Sequence, residues 1–257
     1  GRKQKTTALY DRFVNQGAVM GDSFGLENVL WFANNKEDAH EEPTIKRSRS
    51  HDYVSKEVIN VRENVGLIEV ANFSKHEFKG KDARKFLDHV MAGKLPKPGR
   101  ISLSPMLSYR GKLCGDLTVA CLDENEFLVF GSGAAQEMHR RWFESHLNKF
   151  EVSYKNRSDE FHGLSIAGPN SRKVLEKIVR DDVSNDKFKF RDSRRMFVGG
   201  VPAIINRISF TGELGYEIYV APHYQIKLYE ELMEAGKEFN IKPFGGRALM
   251  SMRLEKN

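Results

Sequence analysis

The chain has 257 residues and a formal net charge of +6, with 40% hydrophobic and 30% charged residues. This apolar content is sufficient for a folded core and excludes wholesale disorder. No run of about 18 apolar residues occurs, which excludes a membrane-spanning helix. The length suits one large domain or two small ones, and because Gly1 rather than Met stands first we expect a fragment of a longer protein.

The net charge suits an anionic partner, although it is not extreme for a chain of this length. Basic residues cluster at Lys46–Arg49, Arg140–Arg141 and Arg191–Arg195, without interleaved aromatic residues of the kind that RNA-binding modules use. We therefore expect no nucleic-acid partner and no membrane partner. A nucleic-acid-binding or RNA-modifying protein is an alternative, which steeply salt-dependent RNA binding would support.

Two cysteines, Cys114 and Cys121, lie in one predicted strand, which separates them by about 23 Å. A disulfide requires Cα atoms within about 7 Å, so we expect free thiols and a reducing compartment. That compartment would be the cytoplasm, or the mitochondrial matrix in a eukaryote. The Cys and His spacings do not match a metal site, and neither a GxGxxG motif nor a P-loop occurs, so no metal is expected.

Residues 1–60 look irregular, because three glycines interrupt an aromatic-bearing stretch. We interpret this segment as a connector that packs on a neighbouring domain through Trp31 and Phe32. A long loop of the same domain is the alternative, although structureless loops beyond about 15 residues are unusual.

The pattern sharpens from Gly66 onward. Residues 82–91 carry apolar side chains at i, i+3, i+4, i+7 and i+8, the spacing of a helix with one buried face. The elements predicted for this half are strands at 66–70 and 75–79, the helix at 82–91, a turn at 95–99, a hairpin of 111–122 with 126–130, and a helix from 131–133 to about 147.

The second half repeats this theme, with Pro169 marking the start of a helix. The elements predicted here are a strand at 162–167, a helix at 171–179, strands near 195–199, 201–208 and 214–220, a helix from about 222 to 239 and another from about 246. Strands and helices mix without strict alternation. This favours an α+β fold with mostly antiparallel sheets, in which residues 61–257 form the domain.

Two pairs of segments align without gaps, which indicates an internal duplication. Phe78–Asp88 matches Ile166–Glu176, and Tyr109–Val119 matches Phe210–Val220. The second match aligns Asp116 with Glu217, each flanked by apolar residues. If the halves are related by symmetry, the two carboxylates would line one central cavity, since acids inside apolar strands are costly to bury alone. The alternatives are a chance similarity and acids that face solvent on amphipathic strands.

Several short motifs carry a resemblance to a known family. They are Gly66–Val70, Gly115–Val119, Gly163–Pro169, Ser209–Glu217 and Arg253–Glu255. The most specific is the Thr-Gly-Glu-Leu-Gly-Tyr-Glu run that ends at Glu217. Residues from about 65 to 257 resemble the folate-binding domain of the glycine-cleavage T-protein (aminomethyltransferase) family. The closer likeness is to the T-protein-like part of flavin-linked dimethylglycine and sarcosine dehydrogenases. In those proteins residues 1–60 would connect to a preceding FAD-binding part, and a C-terminal barrel would follow.

The resemblance implies a tetrahydrofolate-dependent one-carbon transfer. In such enzymes an N-methylated glycine is oxidised at FAD, and tetrahydrofolate captures the iminium carbon as 5,10-methylenetetrahydrofolate. Asp116 matches the catalytic aspartate, which would stabilise the cationic iminium and accept a proton. Glu217 matches the glutamate that accepts the two-donor edge of the pterin. Phe210, Tyr216 and Met106 are the further residues expected at the cofactor, with simple packing as the alternative for Met106.

Two positions depart from the T-protein pattern. Leu249 stands where T-proteins carry an arginine, which fits the dehydrogenase subgroup, whose partner is not a lipoyl-bearing protein. Phe210 stands where T-proteins have a tyrosine, so a hydroxyl contact is lost while the ring remains. A non-catalytic folate-binding or regulatory module of the same fold is one alternative, and a folate-dependent demethylase or aminomethyltransferase is another.

Overall fold

Helices and strands follow one another along residues 2–256, the part of the chain that this computed structural model describes. The helices are α1 (Tyr10–Asn15), α2 (Ser50–Glu63), α3 (Ala83–Val90), α4 (Gln136–His146), α5 (Ser171–Glu176), α6 (Gln225–Gly236) and α7 (Gly246–Glu255). The strands are β1 (Ala18–Ser23), β2 (Leu26–Phe32), β3 (Val65–Glu69), β4 (Phe73–Lys79), β5 (Arg100–Leu107), β6 (Leu113–Asp123), β7 (Glu126–Ser132), β8 (Ser153–Asn156), β9 (His162–Ala167), β10 (Ser193–Val198), β11 (Val201–Asn206), β12 (Gly215–Val220) and β13 (Ile241–Pro243).

The strands of this range assemble into a hairpin and two large sheets. β1 pairs with β2, a six-stranded sheet has the order β10-β11-β12-β9-β3-β13, and a five-stranded sheet has the order β5-β6-β7-β4-β8. The pairings are antiparallel apart from that of β3 with β13, which is parallel. Pro105 lies in β5, an edge strand, where a missing N–H is tolerated. The predicted α+β fold with mostly antiparallel sheets is confirmed.

The internal duplication is visible in the strand order. The segment from β4 through α3 to β7 assembles as β5-β6-β7-β4, and the segment from β9 through α5 to β12 assembles in the matching order β10-β11-β12-β9. Gly80 and Gly168, paired by the first sequence match, both turn from strand to helix, with φ angles of 138° and 131°. A Cβ at either position would meet a carbonyl oxygen at 2.5 Å, so the same constraint requires glycine in both halves.

The second sequence match is wrong in register. It pairs β6 with β12, but β6 holds the same place in its sheet as β11, and β12 corresponds to β7. A 3₁₀ turn follows both β7 and β12, and aligning these turns places Glu217 opposite Leu128 of the first half. Strands with alternating apolar residues resemble one another at several registers, which explains the error. Asp116 and Glu217 are therefore not equivalent residues.

The N-terminal segment is folded, so the expectation of irregular structure before residue 60 is wrong. It forms α1, the β1–β2 hairpin and α2, and Phe13 belongs to the core beneath the six-stranded sheet. Trp31 is buried within the chain, where the Arg247 guanidinium lies 4.7 Å from its ring. Phe24 and Gly25 form the turn of the hairpin and have positive φ angles. The glycines in and near this turn obscure the alternation of buried and exposed residues that would have predicted the two strands.

Candidate functional site

A cavity of about 800 Å³ opens between the two large sheets. One wall comes from β5, β6 and β7, and β12 contributes the other. The tip of the β1–β2 hairpin and the last turn of α7 also line it. A concave space of this size, with a few polar groups among apolar ones, has the character of a small-molecule site.

The alternation of side chains along β12 decides which of them face the cavity. Tyr216 and Ile218 point away from it, into the core that the six-stranded sheet shares with α5 and α6. Glu217 and Tyr219 point the other way and line the cavity. Neighbouring residues of a strand face opposite sides, so Tyr216 and Glu217 of the sequence motif are separated by the sheet itself.

The same alternation along β6 brings Asp116 to the cavity. Leu117 and Val119 are buried against α3 and α4, whereas Asp116 and Thr118 line the opposite face. The Asp116 side chain is exposed, and its residue pairs with Pro105 across the β5–β6 ladder. Asp116 and Glu217 therefore share one cavity, one at an open wall and one at a buried wall, although they reach it from non-equivalent strands.

Glu217 lies in a buried and polar position. Its Oε2 atom accepts a hydrogen bond of 2.8 Å from the hydroxyl of Tyr219. Burial raises the pKa of Glu217 from 4.5 to about 7, while the Tyr219 hydrogen bond and the charge of Lys75 act in the opposite direction. The carboxyl group is thus poised to change charge near neutral pH.

Lys75 lies beside the cavity without lining it, and the sequence analysis did not identify it. It lies on β4 and is fully buried, with its Nζ donating to the carbonyl oxygen of Ala71 at 2.9 Å. Burial lowers its pKa from 10.5 to about 7. A lysine in a strand as polar as Phe73–Lys79 is ordinarily exposed, so nothing in the local pattern indicated its burial.

Aromatic and cationic side chains border the open part of the cavity. Phe24 and Phe190 are largely exposed there, and Phe210 is partly exposed. The guanidinium of Arg253 and the Nζ of Lys256 lie 5.6 Å and 5.7 Å from the centre of the Phe210 ring. Exposed rings of this kind can stack on a planar ligand, and the cations can pair with a carboxylate.

Met106 and Tyr216, which the resemblance places at the cofactor, do not line the cavity. Met106 is fully buried among side chains of α3 and β6. Tyr216 is fully buried on the far face of β12, where its ring stacks on Phe188. Asp116, Glu217 and Phe210 are the predicted site residues that the fold brings together.

A smaller cavity of about 490 Å³ adjoins the first and shares Asn72, Phe73 and Phe210 with it. Leu249 lines this space, as does Glu69 at the end of β3. Burial raises the pKa of Glu69 to about 7. The two cavities therefore lie side by side, one lined by Glu217 and the other by Glu69.

Residues 2–256 hold no candidate metal-ligand cluster and no candidate membrane-spanning helix. No group of three or more His, Cys, Asp or Glu side chains in this range is placed to hold a metal ion. Nor does any helix between its two ends combine the length and the apolarity needed to cross a membrane. Cys114 and Cys121 both lie on β6, as predicted, and are free thiols.

Comparison with known proteins identifies the family. Residues 9–257 match the GCVT N-terminal domain family, to which the chain belongs. The chain is 36% identical over 256 residues to mitochondrial dimethylglycine dehydrogenase of Mus musculus, which covers 98% of the chain and 29% of the dehydrogenase. It is 33% identical over 261 residues to sarcosine oxidase subunit alpha of Rhizobium meliloti (strain 1021), which covers 98% of the chain and 25% of that subunit.

A solved structure shares the fold. The glycine cleavage system aminomethyltransferase T from Bartonella henselae is similar with a TM-score of 0.81 at 22% identity, covering 98% of this chain and 62% of that protein. The predicted resemblance to the T-protein family and to its dehydrogenase relatives is confirmed. The chain is thus an aminomethyltransferase-type domain that spans less than a third of the two curated relatives described above.

Proposed function

We propose that this chain is the tetrahydrofolate-dependent one-carbon transfer domain of a flavin-linked N-methylglycine dehydrogenase. The observation that carries the proposal is the meeting of a buried carboxylate, Glu217, and an exposed carboxylate, Asp116, in one cavity of about 800 Å³. Membership of the GCVT N-terminal domain family and the similarity to a dimethylglycine dehydrogenase support it.

The buried end of the cavity suits a pterin ring. The amino group and a ring N–H of a pterin form a two-donor edge, and the ionised carboxylate of Glu217 has free lone pairs to accept both. The hydroxyl of Tyr219 holds the carboxylate in place. The rings of Phe130 and Tyr219, with centroids 4.6 Å apart, give this end an apolar wall that lowers the local dielectric and strengthens such bonds.

The open end suits the rest of a folate. Phe210 offers a ring face for the aromatic part of the cofactor. Arg191, Arg253 and Lys256 line the same region and supply positive charge for the glutamate tail. The net charge of +6 is consistent with a tail of several glutamates.

Asp116 is the residue we assign to the chemistry. A carboxylate at the open wall stabilises the cationic iminium that presents the one-carbon unit. As a folate nitrogen attacks, a new carbon–nitrogen bond forms and that nitrogen must lose its proton. Asp116 would accept this proton and return it to the amine as the carbon–nitrogen bond to the amine breaks. The second folate nitrogen would then bond to the same carbon and release its own proton to solvent, which completes 5,10-methylenetetrahydrofolate.

The cofactor FAD would belong to another part of the full-length protein, where it supplies the oxidation of the N-methyl group. The amine substrate would bind chiefly there. The FAD-binding part of the same full-length chain is thus the protein partner that we propose for this domain. Since the curated relative is named as mitochondrial, we place the protein in the mitochondrial matrix if its source is a eukaryote and in the cytoplasm otherwise.

Titration with 5-formyltetrahydrofolate tests the binding half of the proposal. Glu217→Gln should abolish saturable binding, because an amide presents a donor to the pterin edge. Glu213→Gln is the matched control, since Glu213 lies in the same motif but pairs with Arg62 outside the cavity. Equal binding by the two variants would contradict the assignment of Glu217.

Replacement of Asp116 tests the catalytic half in the full-length protein supplied with an electron acceptor. Asp116→Asn should lower the formation of methylenetetrahydrofolate by about 100-fold or more while folate affinity changes little. Undiminished turnover would refute the role of Asp116. Folate binding without turnover in the unmodified protein would instead support the alternative of a non-catalytic module.

A further inference from the structure

A lysine is buried beside the proposed folate cavity. Lys75 lies on β4, where Phe73 lines the main cavity and Glu77 lines a separate groove of about 610 Å³. Lys75 is between them on the same face of the strand, since residues two apart share a face. Its Nζ donates to the carbonyl oxygen of Ala71 at 2.9 Å and lies 5.9 Å from the centre of the Tyr219 ring.

Two carboxylates of the six-stranded sheet also favour the charged form of this ammonium group. Glu69 reaches it from β3 and Glu217 from β12. An isolated buried cation would cost several kcal/mol, at about the scale known for ions moved into protein interiors, and Asp159, Glu69 and Glu217 together offset part of this cost. Because one cation serves two acids, neither acid is fully compensated.

Two more charged groups act on Lys75, and Asp159 has the largest charge effect among its neighbours. Asp159 and Lys5 form an ion pair with each other, and their effects on Lys75 oppose one another. His162 on β9 hydrogen-bonds through Nδ1 to Gln225 at 3.2 Å and also experiences the lysine charge. Among the charged side chains of residues 2–256, Lys75 is the one that acts on Glu217, in addition to the Tyr219 hydrogen bond.

Tyr219 joins the lysine to the pterin-binding acid. One face of its ring is turned toward Nζ, and its hydroxyl donates to Oε2 of Glu217 at 2.8 Å. We propose that Lys75 is the positioning residue that keeps Glu217 ionised, so that both oxygens of Glu217 can accept the two-donor edge of the pterin. This inference rests on the proposed function and adds to it the residue that controls the charge of the binding site.

The consequence is a binding site whose affinity depends on pH in a defined direction. A protonated carboxyl group turns one acceptor into a donor, which opposes the pterin N–H groups. Folate affinity should therefore fall as the pH drops through about 7, the value to which burial raises the pKa of Glu217. Without the charge of Lys75, that fall should occur at a higher pH.

The test compares Lys75→Met with Lys155→Met, which removes the same charge from an exposed position on the adjacent strand β8. Affinity for 5-formyltetrahydrofolate is measured across the neutral pH range. In Lys75→Met the midpoint should rise by about one pH unit or more, with about a tenfold loss at neutral pH that disappears at high pH. A merely structural role would lower the affinity equally at every pH, and that result, or an unmoved midpoint, would overturn the proposal.

A ligand-free measurement separates this inference from the proposed function. Infrared difference spectra of the unmodified protein against Glu217→Gln report the ionisation of Glu217 without folate, and their midpoint should also rise in Lys75→Met. A shifted midpoint in a protein that never binds folate would sustain the charge coupling and refute the folate proposal. An unshifted midpoint in a protein that binds folate would do the reverse.

Reciprocal coupling covers the case in which Lys75→Met does not fold. Since the interaction between two titrating groups is mutual, Glu217→Gln must lower the pKa of Lys75 by as much as Lys75 lowers that of Glu217. Carbon-13 NMR of labelled lysine, with Lys75 identified by its burial-shifted titration, measures this directly. A Lys75 titration that is unchanged in Glu217→Gln would overturn the proposal.

Discussion

Removing the hydrogen bond between Tyr219 and Glu217 should lower the free energy of unfolding by an amount that depends on pH. Tyr219→Phe keeps the buried ring and deletes the hydroxyl that donates to Oε2 at 2.8 Å. Where Glu217 is ionised the lost bond is charge-assisted, with a value of about 1.5–3 kcal/mol, and where it is protonated the value falls to about 0.5–1.5 kcal/mol. The free energy of unfolding should therefore drop more at about pH 8 than at about pH 5.5, by roughly 1 kcal/mol.

The direction of this effect follows from proton linkage. Burial raises the pKa of Glu217 from 4.5 in the unfolded chain to about 7 in the fold. Between these values the folded protein holds a proton that the unfolded chain has lost, so the contribution of Glu217 to stability falls as the pH rises through this window. Tyr219→Phe removes a donor to the ionised form and should make that fall steeper.

Urea denaturation at the two pH values measures the difference. Tyr216→Phe is the matched control, because the Tyr216 hydroxyl is buried without a hydrogen-bond partner among residues 2–256 and its removal should cost little at either pH. Equal losses for Tyr219→Phe at both pH values, or a loss in Tyr216→Phe of the same size, would refute the reasoning.

Two further predictions concern the frame of the site. Gly168→Ala should lower the free energy of unfolding by more than about 2 kcal/mol, because φ is positive and a Cβ would lie 2.5 Å from the Val61 carbonyl oxygen. Gly200→Ala, where φ is also positive but the surrounding space is open, should lower it by about 1 kcal/mol. Urea denaturation compares the two variants, and equal losses would contradict the steric argument. Glu57 accepts hydrogen bonds from the backbone N–H groups of Phe32 at 2.7 Å and Gly245 at 3.0 Å, and burial raises the pKa of Glu57 to about 7. Glu57→Gln leaves one of these donors unpaired and should cost about 1–3 kcal/mol at about pH 5.5 and less at about pH 8, because the raised pKa makes the contribution of Glu57 to stability fall as the pH rises; a loss independent of pH would count against it.

Much of the fold could be predicted from the sequence where the hydrophobic period and the Gly and Pro turn signals agreed. The helix at 82–91 was predicted from one apolar face, and α3 spans Ala83–Val90 with that face buried. The N-terminal hairpin was missed because its glycines fall within and beside the strands, where they usually indicate loops. The predicted helix at 171–179 ends earlier, at Glu176, because the chain continues in turns.

The candidate site was accessible only in part. The motif ending at Glu217 led to the cavity, yet it also included Tyr216, although the period of two in a strand already implies that adjacent residues face opposite sides. The sequence pattern did not predict the burial of Lys75, since this burial depends on the sheet that covers β4 rather than on the residues next to Lys75 in sequence. The position of Asp116 followed from the family motif, while the reason given for it, equivalence with Glu217, was wrong.

The corrected register explains how a duplicated fold builds an asymmetric site. Aligning the 3₁₀ turns after β7 and β12 pairs Phe130 with Tyr219 and Leu128 with Glu217. The first pair keeps its ring contact across the gap, with centroids 4.6 Å apart, so the two halves still pack at equivalent positions. At the second pair one half retains an apolar residue in the core while the other places a carboxylate. A buried acid is costly unless it is partnered, and here the Tyr219 hydroxyl and the charge of Lys75 partner it from one side only. The other side of Glu217 faces the cavity, where a ligand with a two-donor edge would complete the pairing of this carboxylate.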